Sequence, residues 1–409
     1  MSEADRTRLT YRYERLRAVS AGIVDTAGST FLLLIAVRWF ETGATAKALI
    51  ASGASAGLLV SPLILSFVSH RQLPGAKAAA GIFVVGSIAF LLAALVPVLP
   101  VFIIAGMIGT ASATVVIPLL TQVYQENYPR EKRGRMFSRT FIVRIASIIV
   151  FSKFAGDYLS ENLEGFPLIL GWFALAFAFA AICMWRTPSR PICNDQGSHP
   201  FRALRFVRED ALFRRTLISW MILGFANLMM LPLRVEYLAN PEYGLLLPVA
   251  TIALLTEVVP NVARLCFSQV WGWLFDHINF FILRAVLNIG FAIGITIFFV
   301  GGTITAFVIG SVIYGIARSG GDLAWSLWVT KLAPPTRVAD YMAVHTFFTG
   351  VRGVTAPVIG FHAVRYFDFG TMGIVSAVMI VIATVMLLPE IRTFRKVREG
   401  QPLVEGISE

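Results

Sequence analysis

Apolar residues in this chain come in long blocks, broken by short polar stretches that are mostly basic. About 20 consecutive apolar residues cross a hydrocarbon core as a helix. Twelve blocks of that length can be drawn, at 18–40, 46–68, 77–98, 101–124, 137–159, 166–185, 215–237, 245–272, 281–300, 303–330, 341–364 and 371–389. The longest polar stretch, from 185 to 215, divides them into six and six. The pattern predicts an all-α integral membrane protein of twelve transmembrane helices. Residues 1–185 form one six-helix bundle, 186–214 a cytoplasmic linker and 215–409 a second bundle. Within the linker, FRALRFVREDALFRR has the make-up of a short amphipathic helix at the membrane surface.

Composition agrees with this reading. Hydrophobic residues make up 56% and charged residues 14% of the 409 positions, where a soluble protein carries about 25% charged residues. The net charge of +11 is distributed by topology: 26 of the 35 lysines and arginines fall in the termini and in loops on the same side. The opposite loops hold only Lys47 and Arg365. Basic loops stay in the cytoplasm, so both termini are expected there, in a bacterial inner (plasma) membrane. Nucleic-acid binding is excluded as the meaning of the charge. The first block is too long for a signal peptide and contains Asp25, so it is read as a retained span. The three cysteines, Cys183, Cys193 and Cys266, form neither a metal pattern nor a disulfide framework, and no cofactor is expected.

The halves share a faint repeat. PREKRGRMFSRTF from Pro129 and PTRVADYMAVHTF from Pro335 lie 206 residues apart, with matching proline, methionine and Thr-Phe positions. Parallel six-helix repeats are an established transporter plan, so the bundles are expected to be pseudo-symmetric. At this point the whole chain resembles the major facilitator superfamily. The 6+6 layout, YPREKRGR after the fourth span, and GWLFDH followed by Arg284 after the eighth carry the resemblance. It implies that Gly272, Asp276 and Arg284 belong to a cytoplasmic gate. The corresponding first-half stretch reads SFVSHRQLPG, with Ser69 and His70 where an aspartate is expected.

Charges inside the spans are costly unless paired or hydrated. Asp25, Arg144, Lys153, Glu257, Arg264, Arg318, Asp322 and Arg352 occupy spans 1, 5, 8, 10 and 11, whereas the apolar stretches of spans 3, 6, 9 and 12 carry none. By the resemblance, those four are the outer helices. A rise of roughly 1.5 Å per residue puts Asp25, Arg144, Arg264, Asp322 and His345 roughly 7–12 Å from the cytoplasmic side. Glu257, Arg318 and Arg352 come out near the midplane, where transporters of this plan bind substrate. The first set reads as gate ion pairs, with Asp276 and Arg284, and the second as a binding layer joined by Asn227 and Trp325. Arg318 and Asp322 equally suit a structural bridge within one helix. Gly320–Gly321 is expected to weaken span 10 locally, allowing a bend or a close backbone approach.

No Gly-x-x-x-x-Gly-Lys-Ser/Thr stretch is present, and no histidine–carboxylate cluster suggests an enzyme. The expected activity is secondary active transport by a monomer, driven by protons. Glu257, Asp25 and His345 are the candidate carriers. Two midplane arginines point to a small organic anion. A sugar or multidrug transporter of the same fold is the alternative.

Overall fold

The computed structural model describes residues 2–192, 202–333 and 337–391. Twelve helical segments follow one another: α1 (Glu3–Arg38), α2 (Ala44–His70), α3 (Gly75–Leu95), α4 (Leu99–Asn127), α5 (Arg130–Glu161) and α6 (Phe166–Arg186), then α7 (Ala211–Ala239). The next, α8, runs through Val249–Ala253, Leu254–Val258 and Val259–His277. The last four are α9 (Phe280–Val300), α10 (Ile304–Leu332), α11 (Val338–Ala363) and α12 (Phe369–Val385). Ten of the helices are long and apolar enough to cross a membrane. The other two, α5 and α11, have 32 and 26 residues, which is ample length for a core of about 30 Å. The chain is therefore a multi-pass membrane protein.

The helices outrun the apolar blocks at the basic ends. Helix α1 begins at Glu3, capped by the Ser2 hydroxyl, so its arginines extend a rod beyond the hydrocarbon. Helix α7 starts at Ala211 because the Asp210 side chain accepts from the Phe213 amide. The predicted linker helix is consequently cut short: only Arg202–Arg205 and Phe206–Glu209 coil before that cap, and the rest of the motif belongs to α7.

Helices α1–α6 pack on one another, as do α7–α12, and the two sets meet along α2 with α11, α5 with α8, and α1 with α7. Helices α3, α6, α9 and α12 present rows of exposed apolar side chains, among them Val85, Ile88, Leu175, Ile182, Ile289 and Val381. A surface of that kind suits lipid tails. An even number of helices leaves the start of α1 and the end of α12 on one face, called here the terminal face; the α1–α2 and α7–α8 turns mark the far face.

Glycines set how closely helices approach. A Cβ on Gly57 would meet the Ala111 backbone of α4, and one on Gly315 would meet the Pro260 backbone of α8. Helix α10 is one continuous α-helix from Ile304 to Leu332. Of the two uses open to Gly320–Gly321, close approach is the one its neighbours show: Gly320 lies against Trp271 and Leu287, and Gly321 against Phe291. The irregular turns are elsewhere. Helix α1 widens into a π-turn at Ala27–Phe31 and α8 into another at Leu254–Val258, and the two touch across the bundle interface. Such turns mark functional positions often enough to direct attention there.

If close approach holds α8 to α10, Gly315→Val must push backbones apart, at a cost of about 1–3 kcal/mol. Thermal unfolding of the purified protein should show a lowered midpoint for that variant. Gly81→Val, which meets nothing within 4 Å, should unfold like the parent.

Candidate functional site

At the touching π-turns, the Thr30 hydroxyl donates to Glu257 Oε1 at 2.7 Å and lies 3.0 Å from the Thr256 hydroxyl. Thr256 Oγ1 in turn is 2.8 Å from the Ile252 carbonyl. On the same stripe of α8, Asn261 Nδ2 donates to the Glu257 carboxylate at 3.3 Å and to its carbonyl at 2.8 Å. Glu257 is 3% exposed and forms no ion pair among the described residues. Two arginines, Arg318 and Arg234, act on it only through their fields. The hydroxyl chain serves both protonation states. A carboxylate accepts from Thr30; a carboxylic acid donates to Thr30, which then donates to Thr256 and so to the Ile252 carbonyl.

Toward the terminal face lie two ion pairs, each inside one bundle. Arg144 of α5 grips Asp25 of α1 with two bonds of 2.5 and 2.7 Å. Arg264 of α8 holds Asp322 of α10 at 2.6 Å, and its guanidinium lies 4.6 Å from the Phe141 ring centre of α5. The pairs sense each other's charge across the interface. Arg318 forms no ion pair among the described residues; the fields acting on it come from Asp322, Glu257 and Asp25. The predicted gate residues Asp25, Arg144, Arg264 and Asp322 are thus brought together with Arg318 and Glu257.

Four other expected site residues are not. Arg352 turns into the second bundle, where its guanidinium donates to the Trp220 carbonyl and packs on Gly224 of α7. His345 is fully buried among Trp220, Trp325 and Trp328, so neither it nor Trp325 joins Glu257. Arg284 lies inside α9 with its guanidinium 3.6 Å from the Trp220 ring centre. Among the described residues its recorded contact is with Trp220, inside the second bundle. Depth along a helix does not say which way around its axis a side chain points. Asn227 lines a small cavity within the second bundle with Arg234, Phe298 and Tyr314. Asp276 falls in α8, and its side chain is outside the described residues.

Sequence reasoning missed the far-face seam. Lys47 of α2 and Glu236 of α7 form a buried ion pair at 2.6 Å. Arg38 of α1 donates to the Leu247 carbonyl at 2.7 Å and to that of Ala239, and the Ala250 amide donates to Ser160 of α5 at 2.7 Å. Among the described residues, every hydrogen bond between the bundles lies from the midplane to the far face. The signal available was Glu236, a carboxylate inside span 7, and Lys47, a rare cation on the acidic side.

Two six-helix bundles facing each other are the fold of several solved membrane transporters. Solved structures make the likeness quantitative. The nucleoside transporter NupG aligns over 93% of this chain and 98% of its own, with a TM-score of 0.69 and 15% identity. The xylose transporter XylE from E. coli, in a partially occluded inward-open conformation, aligns over 94% and 99% with a TM-score of 0.70 and 14% identity. A D-xylose-proton symporter aligns over 91% and 96%, with a TM-score of 0.67 and 15% identity. These neighbours are transporters, not enzymes. At such identities they establish the fold. No protein-family model and no curated protein matches the sequence.

Removing one member of a buried ion pair strands the other, at a cost of about 3–5 kcal/mol. Lys47→Met should therefore lower the unfolding midpoint sharply, and adding Glu236→Gln should recover much of the loss. Equal midpoints for the single and double variants would show that the pair carries no such energy.

Proposed function

We propose that the chain is a secondary active transporter that couples proton movement to a small, uncharged, hydroxyl-rich solute. Alternating access is supplied by rocking of residues 1–185 against 215–409. The basic loops put the terminal face in the cytoplasm of a bacterial inner membrane, so a far face sealed by Lys47–Glu236 and Arg38 corresponds to an inward-facing state.

One observation carries the coupling: Glu257 is a buried carboxyl that bonds across the interface and, among the described residues, has no ion-pair partner. A carboxyl so placed exchanges a proton more readily than Asp25, whose charge is held by two bonds from Arg144. Glu257 is the proposed carrier, while Asp25–Arg144 and Arg264–Asp322 are the charged rims of the inner gate.

The solute class follows from the charge of the layer. An anion site needed both Arg318 and Arg352, and Arg352 is engaged with α7. The remaining groups, Thr30, Thr256, Asn261, Glu257 and Arg318, are nearly balanced in charge and rich in donors and acceptors. That combination suits a sugar- or nucleoside-like molecule, the kind named for NupG and XylE. An organic anion is the second reading, favoured by the absence of an ion-pair partner for Arg318.

In proteoliposomes, Glu257→Gln should abolish uphill uptake driven by a pH gradient while counterflow of the same solute persists. Uphill uptake at the parent rate would remove Glu257 from coupling. For the solute, purified protein should gain thermal stability with sugars or nucleosides, and Arg318→Gln should weaken that gain by about tenfold in apparent affinity, the loss of one charged hydrogen bond. Stabilisation by organic anions alone would favour the second reading.

A further inference from the structure

The terminal half of the second bundle holds a cluster that the proposed transport path does not use. Trp220 of α7 is its centre. Arg284 of α9 lies over the Trp220 ring, and Arg352 of α11 donates to the Trp220 carbonyl. The His345 ring centre is 5.4 Å from that of Trp220, 5.4 Å from Trp325 and 5.1 Å from Trp328. Arg284, Arg352 and His345 are 2%, 8% and 0% exposed, so four helices meet around two buried cations and an imidazole.

All but one of the cluster's unmet hydrogen bonds are donors, the exception being the second nitrogen of a neutral His345. Arg352 Nε, both His345 ring nitrogens, and the indole nitrogens of Trp220 and Trp328 are buried without a partner. Guanidinium and indole N–H groups can only donate, and a neutral imidazole adds one more donor. No carboxylate among the described residues forms an ion pair with Arg284 or Arg352. The Trp220 ring face stabilises the Arg284 charge, and the Trp220 carbonyl accepts one bond from Arg352. Neither supplies negative charge. Two like charges buried together repel, and water would satisfy the donors without removing that repulsion.

Space limits what can enter. Trp328 and His345 are fully excluded from the surface, and a Cβ on Gly224 would overlap the Arg352 guanidinium. An organic carboxylate does not fit such packing, whereas a single-atom anion needs only a gap between donors. We infer that Arg284, Arg352, His345, Trp220 and Trp328 bind a small inorganic anion of chloride size inside the second bundle. It is a fixed counter-ion that ties α7, α9, α10 and α11 together, separate from the transported solute.

Thermal unfolding of the purified full-length protein in detergent tests this, with sodium chloride, bromide, phosphate or gluconate at equal ionic strength. Chloride and bromide should raise the midpoint saturably by about 2–4 °C over gluconate. Arg284→Gln and Arg352→Gln should lose the effect, and the exposed far-face variant Arg365→Gln should keep it. Bromide should also quench tryptophan fluorescence with a saturable component that Trp328→Phe removes; this decides the matter in otherwise unmodified protein if the arginine variants do not fold. Identical midpoints in all four salts, with bromide quenching linear in concentration, would overturn the site. Stabilisation by phosphate but not by halides would overturn the assigned size.

Discussion

A charge left without a partner in the low-dielectric core of a membrane protein is costly, and that constraint organises this molecule. Two of its intramembrane pairs lie inside one bundle. Asp25 with Arg144 and Arg264 with Asp322 satisfy each other without crossing the interface, as does Glu14 with Arg17 at 2.6 Å, just outside the first apolar block. Either bundle can therefore move as a unit without stranding them. Lys47–Glu236 is different, because it crosses the interface and must break whenever the far face opens. Its position near the far face means that water arrives as the bond is lost, which lowers the cost of separating it.

Between those charged layers sits the Thr30–Glu257 contact. It links the bundles at the midplane, and both of its backbones are π-turns rather than regular helix. A π-turn adds a residue to the local turn and so alters the direction of the following side chains. Here the two turns bring Thr30 and the Thr256–Glu257 pair into register across the interface. In the proposed cycle, the proton on Glu257 decides whether this contact is a hydroxyl donating to a carboxylate or an acid donating to a hydroxyl. The solute competes for the same groups. That shared use of donors is a direct physical route from protonation to solute affinity.

The fold was readable because its signal is coarse: twelve apolar blocks, a basic linker at the middle, and charges confined to a subset of spans. The ion pairs were half readable. Depth along the chain put Asp25 level with Arg144 and Arg264 level with Asp322, and these do pair. Depth failed for Arg318 and Arg352. Both were expected near the midplane, but the Arg352 guanidinium turns to the Trp220 carbonyl of α7, a rotation about the helix axis that spacing on one helix does not reveal. The Gly320–Gly321 pair was half readable for a related reason. Glycines there allow a bend or a close approach, and the choice depends on Trp271, Leu287 and Phe291, which are remote in sequence. The far-face seam escaped because Lys47 lies just inside a helix end, where sequence alone reads a loop cation.

The central claim is that solute crosses only if the far-face seam can open. It can be tested with Lys47→Cys and Glu236→Cys in a chain whose three native cysteines have been replaced by alanine. A short cleavable thiol cross-linker joins the two positions in proteoliposomes, and solute counterflow is measured before cross-linking, after it, and after cleavage. The account predicts active counterflow before, none while the link is intact, and recovery once it is cut. Counterflow at the uncross-linked rate through quantitatively linked protein would contradict it.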